Sequence, residues 1–440
     1  MKHTHWKSAL AALFLGVVAA IFIGKLPPAL PVLRAEFGLS LAESAWMVSM
    51  FNTLGVVASI FMGLFVARAG AWRFCVTGLI AMIAGALLGA ATPATAPWLL
   101  LASRFLEGVG FLSIVVAAPG LLMLATADAD RKRVFSFWGA YMPTGTTIGM
   151  LLAPLLIGSA GWRGLWITTA LCAACALWVL ISLREDYTGA ARSNPIGSTV
   201  NQGTASGNGN EGAAGGSTVA AWRAGAGPLK KSGPGWIALA FGCYAFNFYA
   251  IMVWLPTFMV GDRQTPLLTA SLLTALVVAV NIGGNVLGGV LMQRGVSRGT
   301  NVCLAGIATA LTCAMIFSPA LPDWLRYFAC VLFSFSVGVL PGSVMSAAQT
   351  HAQNPAQVGT VQGMINQGSN LGQFISPPLV AAVVSQAVSQ TASQTASQTA
   401  GAALAWNNML YLLLATSAII VAAGWMIRRV EARMAASSGA

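Results

Sequence analysis

Gly203-Thr-Ala-Ser-Gly-Asn-Gly-Asn-Glu-Gly-Ala-Ala-Gly-Gly216 lies near the middle of the chain and contains no large apolar side chain. It is the centre of a polar, glycine-rich stretch from Arg184 to Gly235 that also holds Ser193-Asn194-Pro195 and Lys230-Lys231. A segment so poor in apolar surface cannot offset the entropy of ordering its backbone, so it reads as a flexible linker. The chain on either side is apolar, with six hydrophobic segments before the stretch and six after it. The predicted organisation is an amino-terminal six-helix half over 1–183, a linker over 184–235 and a carboxy-terminal six-helix half over 236–440.

Composition supports a membrane reading. The chain is 57% hydrophobic and 8% charged, with mean hydropathy +0.76. Soluble domains are about one quarter charged. The net charge of +12 does not point to nucleic acid, because the basic residues lie between apolar segments rather than in one patch. All seven Cys fall in or beside apolar segments, where thiols behave as small hydrophobes. Cys172 and Cys175 have CxxC spacing but no second pair and no nearby His. No signal-peptide cleavage pattern follows the first apolar run, so that run reads as a retained helix.

A spanning helix needs about 20 mostly apolar residues. Twelve segments qualify: 9–31, 44–67, 74–92, 98–125, 134–157 and 163–183, then 236–260, 267–293, 300–317, 324–347, 358–385 and 405–427. Lys and Arg concentrate on the cytoplasmic side of bacterial membranes. With a cytoplasmic amino terminus, 17 of them fall inside and only Arg34, Arg163, Arg263 and Arg326 outside. Lys25 and Arg104 remain within the membrane. The expected location is the bacterial inner membrane, with both termini and the linker cytoplasmic.

The halves resemble each other. Gly145-x3-Gly149-x4-Pro154 in the fifth segment matches Gly368-x3-Gly372-x4-Pro377 in the eleventh. Arg68-Ala-Gly70 matches Arg294-Gly295, and Lys25-Leu-Pro27 matches Trp254-Leu-Pro256. The offsets of 223 to 229 argue for a duplicated six-helix unit in parallel orientation. The fold class is therefore an all-α membrane protein of twelve helices in two repeated halves. The Ser-Gln-Thr-Ala repeats beginning at Ser389 read as an expanded outside loop that continues the eleventh helix.

Gly63-Leu-Phe-Val-Ala67-Arg68-Ala-Gly70-Ala-Trp-Arg73 resembles the loop signature between helices 2 and 3 of the major facilitator superfamily. Arg104-Phe-Leu-Glu107-Gly108-Val-Gly110 resembles its helix 4 signature. The resemblance implies secondary transport by alternating access, with helices 1, 4, 7 and 10 lining a central cavity. It also implies that Gly63, Arg68, Gly70 and Arg73 form a conformational loop. The sequence departs from the family at Ala67, where an acidic residue usually precedes the Arg. Gly139-Ala-Tyr-Met-Pro143 lacks the Gly-Pro pair of drug antiporters. Trp254-Leu-Pro256 resembles members of the cyanate- and nitrite-permease-like group.

Ionisable side chains deep in a bilayer are costly and are functional candidates. Three fall there: Lys25, Arg104 and Glu107. Arg104 and Glu107, three apart, share a helix face. They form either a self-neutralising ion pair or an anion site with Glu107 as proton carrier. Lys25 either joins that site or snorkels to the outer interface. On the seventh helix Tyr244, Asn247, Ile251 and Trp254 share a face, and Asn247 and Trp254 are expected to complete the substrate wall. On the eleventh, Gln362, Asn366, Asn370 and Gln373 form a stripe, and the eighth offers Asn281 and Asn285. Such amides either line a cavity or join helices. The glycines of the fifth and eleventh helices read as close-packing positions.

The expected function is a secondary transporter, a permease or proton symporter, for a small organic or inorganic anion. It would act as a monomer in the lipid bilayer, with no nucleic acid and no cofactor. The alternatives are an exporter of amphipathic drug-like compounds and, from another class, a non-transporting membrane sensor of the same fold. The chain is not expected to be an enzyme, because no buried His, paired carboxylates or metal spacing appears. It also has no GxxxxGK[ST] loop for nucleotide.

Overall fold

The computed structural model describes residues 3–127, 129–187, 232–261, 263–344, 347–351, 355–392 and 398–438. The predicted linker falls almost wholly outside them. The amino-terminal half contains α1 (Trp6–Gly24), α2 (Leu26–Phe37), α3 (Leu41–Met50), α4 (Thr53–Ala69), α5 (Ala71–Ala90), α6 (Trp98–Ala125), α7 (Arg131–Gly139) and α8 (Tyr141–Ser182). The carboxy-terminal half contains α9 (Ser232–Gly261), α10 (Leu267–Gln293), α11 (Arg298–Ile316), α12 (Asp323–Val344), α13 (Ala347–His351), α14 (Pro355–Ala392) and α15 (Gln398–Ser438). No strand occurs among the described residues.

Among the described residues nine helices, taking α1 and α2 as one, are long and apolar enough to cross a bilayer, and the bent pair α3–α4 makes ten. The other two predicted spans have local explanations. α8 is 42 residues long and contains two of them, separated where Gly161 leaves helical geometry at φ 69° and ψ 175°. A positive φ costs glycine nothing and most other residues 1–2 kcal/mol or so. α14 carries the eleventh span, and its amides lower its hydropathy. The Ser-Gln-Thr-Ala repeats continue α14 to Ala392 and open α15 at Gln398; residues 393–397 lie outside the described set.

Two predicted spans are interrupted within their length. The first breaks at Lys25, between α1 and α2. Pro27 and Pro28 lack the N–H groups that would bond the carbonyls of Ile23 and Gly24. The second bends by 41° around Phe51 and Asn52. These two breaks lie beside one another against α6, through Phe22, Met47 and Phe51, and so place backbone carbonyls and Lys25 at the centre of the bundle.

The glycine repeats pack as expected. A Cβ on Gly145 or Gly149 would strike the carbonyl oxygens of Val17 and Ile21. One on Gly368 or Gly372 would strike those of Ala238 and Gly242. The same helix pair is thus built twice, α8 on α1 and α14 on α9. The contacts also correct the register of the repeat. They pair Val17 with Ala238, an offset of 221, whereas the Leu-Pro match gives 229. A three-residue motif near a helix end tolerates such a slip; a glycine seated on a carbonyl does not.

The halves meet along α4 and α14, α2 and α9, and α8 and α10. Asn370 donates to Ser59 Oγ at 2.9 Å, Gln367 to the Val56 carbonyl, and Ser49 to the Phe374 carbonyl at 2.7 Å. One end of the bundle gathers the beginning of α1 and the end of α15. There Tyr187 donates to the Ser8 carbonyl, and Arg298 and His351 both meet Glu431. At the opposite end Glu36 binds Arg163 at 2.8 Å and accepts from Trp162 at 2.5 Å.

Candidate functional site

The three intramembrane ionisable residues meet. Lys25 Nζ lies 2.7 Å from Glu107 Oε1, and Arg104 Nη1 pairs with Glu107 Oε2. One carboxylate therefore bridges two cations, at 0% exposure for Lys25 and Glu107 and 2% for Arg104. Lys25 also donates to Thr169 Oγ1 at 3.0 Å, and the rings of Phe22 and Trp166 each lie 4.4 Å from its ammonium. Arg104 donates to the carbonyls of Phe22 (3.1 Å) and Met47 (3.4 Å), and its guanidinium sits 4.5 Å from the Phe51 ring.

Local sequence explains how three charges fit. Gly108 seats α6 on the Phe51 carbonyl, and a Cβ at Gly85 would crowd Glu107 Cγ at 2.9 Å. Ser103 donates to the Gly85 carbonyl at 2.7 Å and holds α6 against α5. The carbonyls that receive Arg104 come from the two interrupted spans. Among these groups the formal balance is two positive charges against one negative. A buried charge without a counterpart is expensive, so this excess marks the place as one suited to an anion.

Beside Arg104, at the seam between the halves, is a cavity of about 10 Å³ lined by Asn52 and Tyr249. It has room for roughly one water. The Tyr249 hydroxyl and both amide atoms of Asn52 are buried and adjacent, and among the described residues they approach only one another, outside normal hydrogen-bond geometry. Donors and acceptors from both halves are thus left unmatched at one point.

The structure does not bring all of the predicted site residues to one place. Lys25 does not snorkel; its carboxylate partner is at the bundle centre. Asn247 does not face the central seam. It is fully buried, donates to Ser417 Oγ at 3.3 Å and accepts from Thr416 at 2.5 Å, joining α9 to α15. Trp254 packs 6.3 Å from Trp406 within the carboxy-terminal half and does not line the small cavity. Asn370 lies on α14 facing α4 and also donates to the Asn366 carbonyl at 2.9 Å, while Asn366 Oδ1 accepts from Gln362 at 3.3 Å within α14. Asn281 joins α10 to α12 by donating to the Ser334 carbonyl at 3.0 Å, and Asn285 donates to Asn281 Oδ1 on the same helix at 2.9 Å.

In the predicted conformational loop, Gly70 turns the corner at φ 84° and Arg73 is exposed. Gly63 and Arg68 fall within the backbone of α4. The residues missed are Asn52, Thr169, Trp166 and Tyr249. A signal existed for Asn52, a lone amide at mid-depth in a predicted span.

Comparison with known proteins agrees with this architecture. The family model described as Major Facilitator Superfamily matches residues 12–377. The curated "Putative niacin/nicotinamide transporter NiaP" of Bacillus subtilis (strain 168) is 28% identical over 167 residues, 38% of this chain and 41% of that protein. The methylenomycin A resistance protein of the same organism is 23% identical over 172 residues, 39% of this chain and 36% of that protein. The alignments thus span about two-fifths of each relative. A crystal structure of a bacterial homologue of the human lysosomal transporter Spinster, inward-facing and unoccupied, superposes with TM-score 0.73 at 14% identity, covering 98% of each chain. The inward-facing, occupied form gives 0.68 at 14% identity, covering 97% of this chain and 96% of that one. At such identity the likeness is one of fold.

Proposed function

The chain belongs to the Major Facilitator Superfamily, and we propose from that premise that it carries a small anion across the membrane together with a proton. The observation that supports this reading is the buried Lys25–Glu107–Arg104 bridge beside unmatched groups from both halves. In the state described, Glu107 occupies both cations. A proton on Glu107 removes its charge and frees Lys25 and Arg104 to hold the anion instead. The total charge of the site is then the same with the carboxylate bridging as with proton and monovalent anion bound. Each thus favours entry of the other. Arg104 offers a planar fork suited to a carboxylate. Asn52 and Tyr249 supply the remaining donors, and Tyr249 brings the carboxy-terminal half to the ligand. Alternating access then follows from separating the halves at one end of the bundle at a time.

The sequence divisions at 183 and 235 are proposed as the limits of a tether, and the Lys and Arg bias assigns it and both termini to the cytoplasm. The name of one relative gives both niacin, a carboxylic acid that fits an anion site, and nicotinamide, its uncharged amide, which needs no such site. The drug-resistance name of the other favours a second reading, export of an amphipathic compound. Purified protein in liposomes separates the two. A pH gradient, acid outside, should drive uptake of a small carboxylate chosen by a thermal-shift screen. Transport of uncharged or cationic drugs with no response to carboxylates would support the exporter.

A further inference from the structure

The carboxy-terminal half contains a cavity that the charged bridge does not reach. Its volume is about 750 Å³, inside the range of roughly 300–1,000 Å³ usual for small-molecule sites. It lies where the end of α9 meets the beginnings of α12 and α15, and the loop residues Gln264, Thr265 and Pro319 form its mouth. The mouth is therefore at the end of the bundle opposite the chain termini, at the level of the loops rather than the apolar helix faces.

The walls are aromatic. Trp254 and Trp406 lie 6.3 Å apart, and Phe258 meets Trp406 edge-on at 5.7 Å. The mouth is charged. Arg263 binds Asp323 at 3.0 Å, and Arg326 approaches the same carboxylate at 3.6 Å while its Nε donates to the Ile316 carbonyl at 2.7 Å. Two guanidinium groups thus share one carboxylate, the arrangement of excess positive charge seen at the central bridge, here at a solvent-reaching rim. Gln264, at this rim, is the one non-glycine among the described residues with positive φ, 53°. Strain of this kind persists where the surroundings enforce it and clusters at ligand sites. The buried indole N–H of Trp254 has no acceptor among the described residues.

An aromatic floor under a positive rim selects a ligand with a flat apolar body and one anionic end. We propose that this cavity is a second ligand site, for an aromatic carboxylate free in solution on that side of the membrane. The ring lies against the aromatic wall of Phe258 and Trp406, and the carboxylate displaces Asp323 from Arg326. The site does not depend on the proton and anion exchange argued for the bridge.

The test uses the full chain in lipid nanodiscs and titrates 2-naphthoate, following tryptophan fluorescence. Saturable binding to the wild type is expected. Arg326→Gln should raise the Kd at least tenfold, and 2-naphthamide, which has the ring without the charge, should bind the wild type at least tenfold more weakly. The amide comparison is repeated in Lys25→Ala, whose bridge holds anions weakly, so it reports on this cavity even if Arg326→Gln folds poorly; a preference for the acid that disappears in Lys25→Ala overturns the proposal. Absence of saturable binding, equal affinity for acid and amide, or unchanged affinity in a folded Arg326→Gln protein each overturns the proposal. Failure of carboxylate uptake at the bridge, with 2-naphthoate binding intact, would reject the transport reading alone.

Discussion

The two halves share one helix packing and have opposite interiors. In the amino-terminal half the space between α1, α6 and α8 is filled by Lys25, Glu107, Arg104 and Trp166. In the carboxy-terminal half the corresponding space, between α9, α12 and α15, holds no such bridge among the described residues; it contains the amide contact of Asn247 and, beyond it, an open aromatic cavity. Duplication preserved what backbone contact demands, the glycines seated on carbonyls, and left the interior side chains free to diverge. Rigid-body motion of two similar halves needs only the first. The proposed anion site draws nearly all of its charge from one half.

The sharpest way to break this comparison is Glu107→Gln. It leaves two buried cations without a carboxylate, so the protein should lose about 3–5 kcal/mol of stability without anion. Added carboxylate should restore much of it. In liposomes the variant should exchange solute but no longer accumulate it along a pH gradient. An anion-independent melting temperature equal to that of the wild type would remove the bridge from the account. Lys25→Ala is milder, since Glu107 keeps Arg104 as its partner; the chain should fold while anion affinity falls tenfold or more, measured by thermal shift.

The next comparison tests the shared packing. Gly149→Leu and Gly372→Leu should each destabilise their own half by about 1–3 kcal/mol through overpacking, with losses of similar size in denaturant titration. A tolerated substitution in one half only would mean that the repeat is not structurally equivalent. The smallest effect belongs to Asn247→Ala. An interhelical hydrogen bond in a membrane is worth about 0.6 kcal/mol on average. Stability should drop by about that much, with carboxylate affinity unchanged. A tenfold loss of affinity would return Asn247 to the solute path.

Much of the fold was legible because a bilayer demands long apolar helices, and the duplicated glycines mark where those helices touch. The three charges were legible for the same reason, since nothing else in the chain justifies their cost in a membrane. Side-chain direction was not. In a soluble helix polar residues mark the outward face, but in a membrane both faces are apolar, and an amide satisfies itself against any neighbouring helix. Asn247 and Tyr249 are two residues apart on α9, and sequence alone did not show that the phenol faces the seam and the amide faces α15. Of the two breaks, at Lys25 and Asn52, only the first left a mark in the sequence. Prolines after Lys25 signalled one, but the helix at Asn52 bends with no proline.

Exchange of a bridging carboxylate for a proton and an anion is the centre of this account, and proton uptake on binding tests it most directly. The purified protein, in weakly buffered solution with a pH indicator, is titrated with the small carboxylate selected by thermal shift. Uptake of close to one proton per monovalent anion is expected for the wild type, and none for Glu107→Gln at comparable occupancy. Binding without proton uptake by the wild type, or the same uptake in Glu107→Gln, would contradict the exchange and leave the Lys25–Glu107–Arg104 bridge a structural clasp.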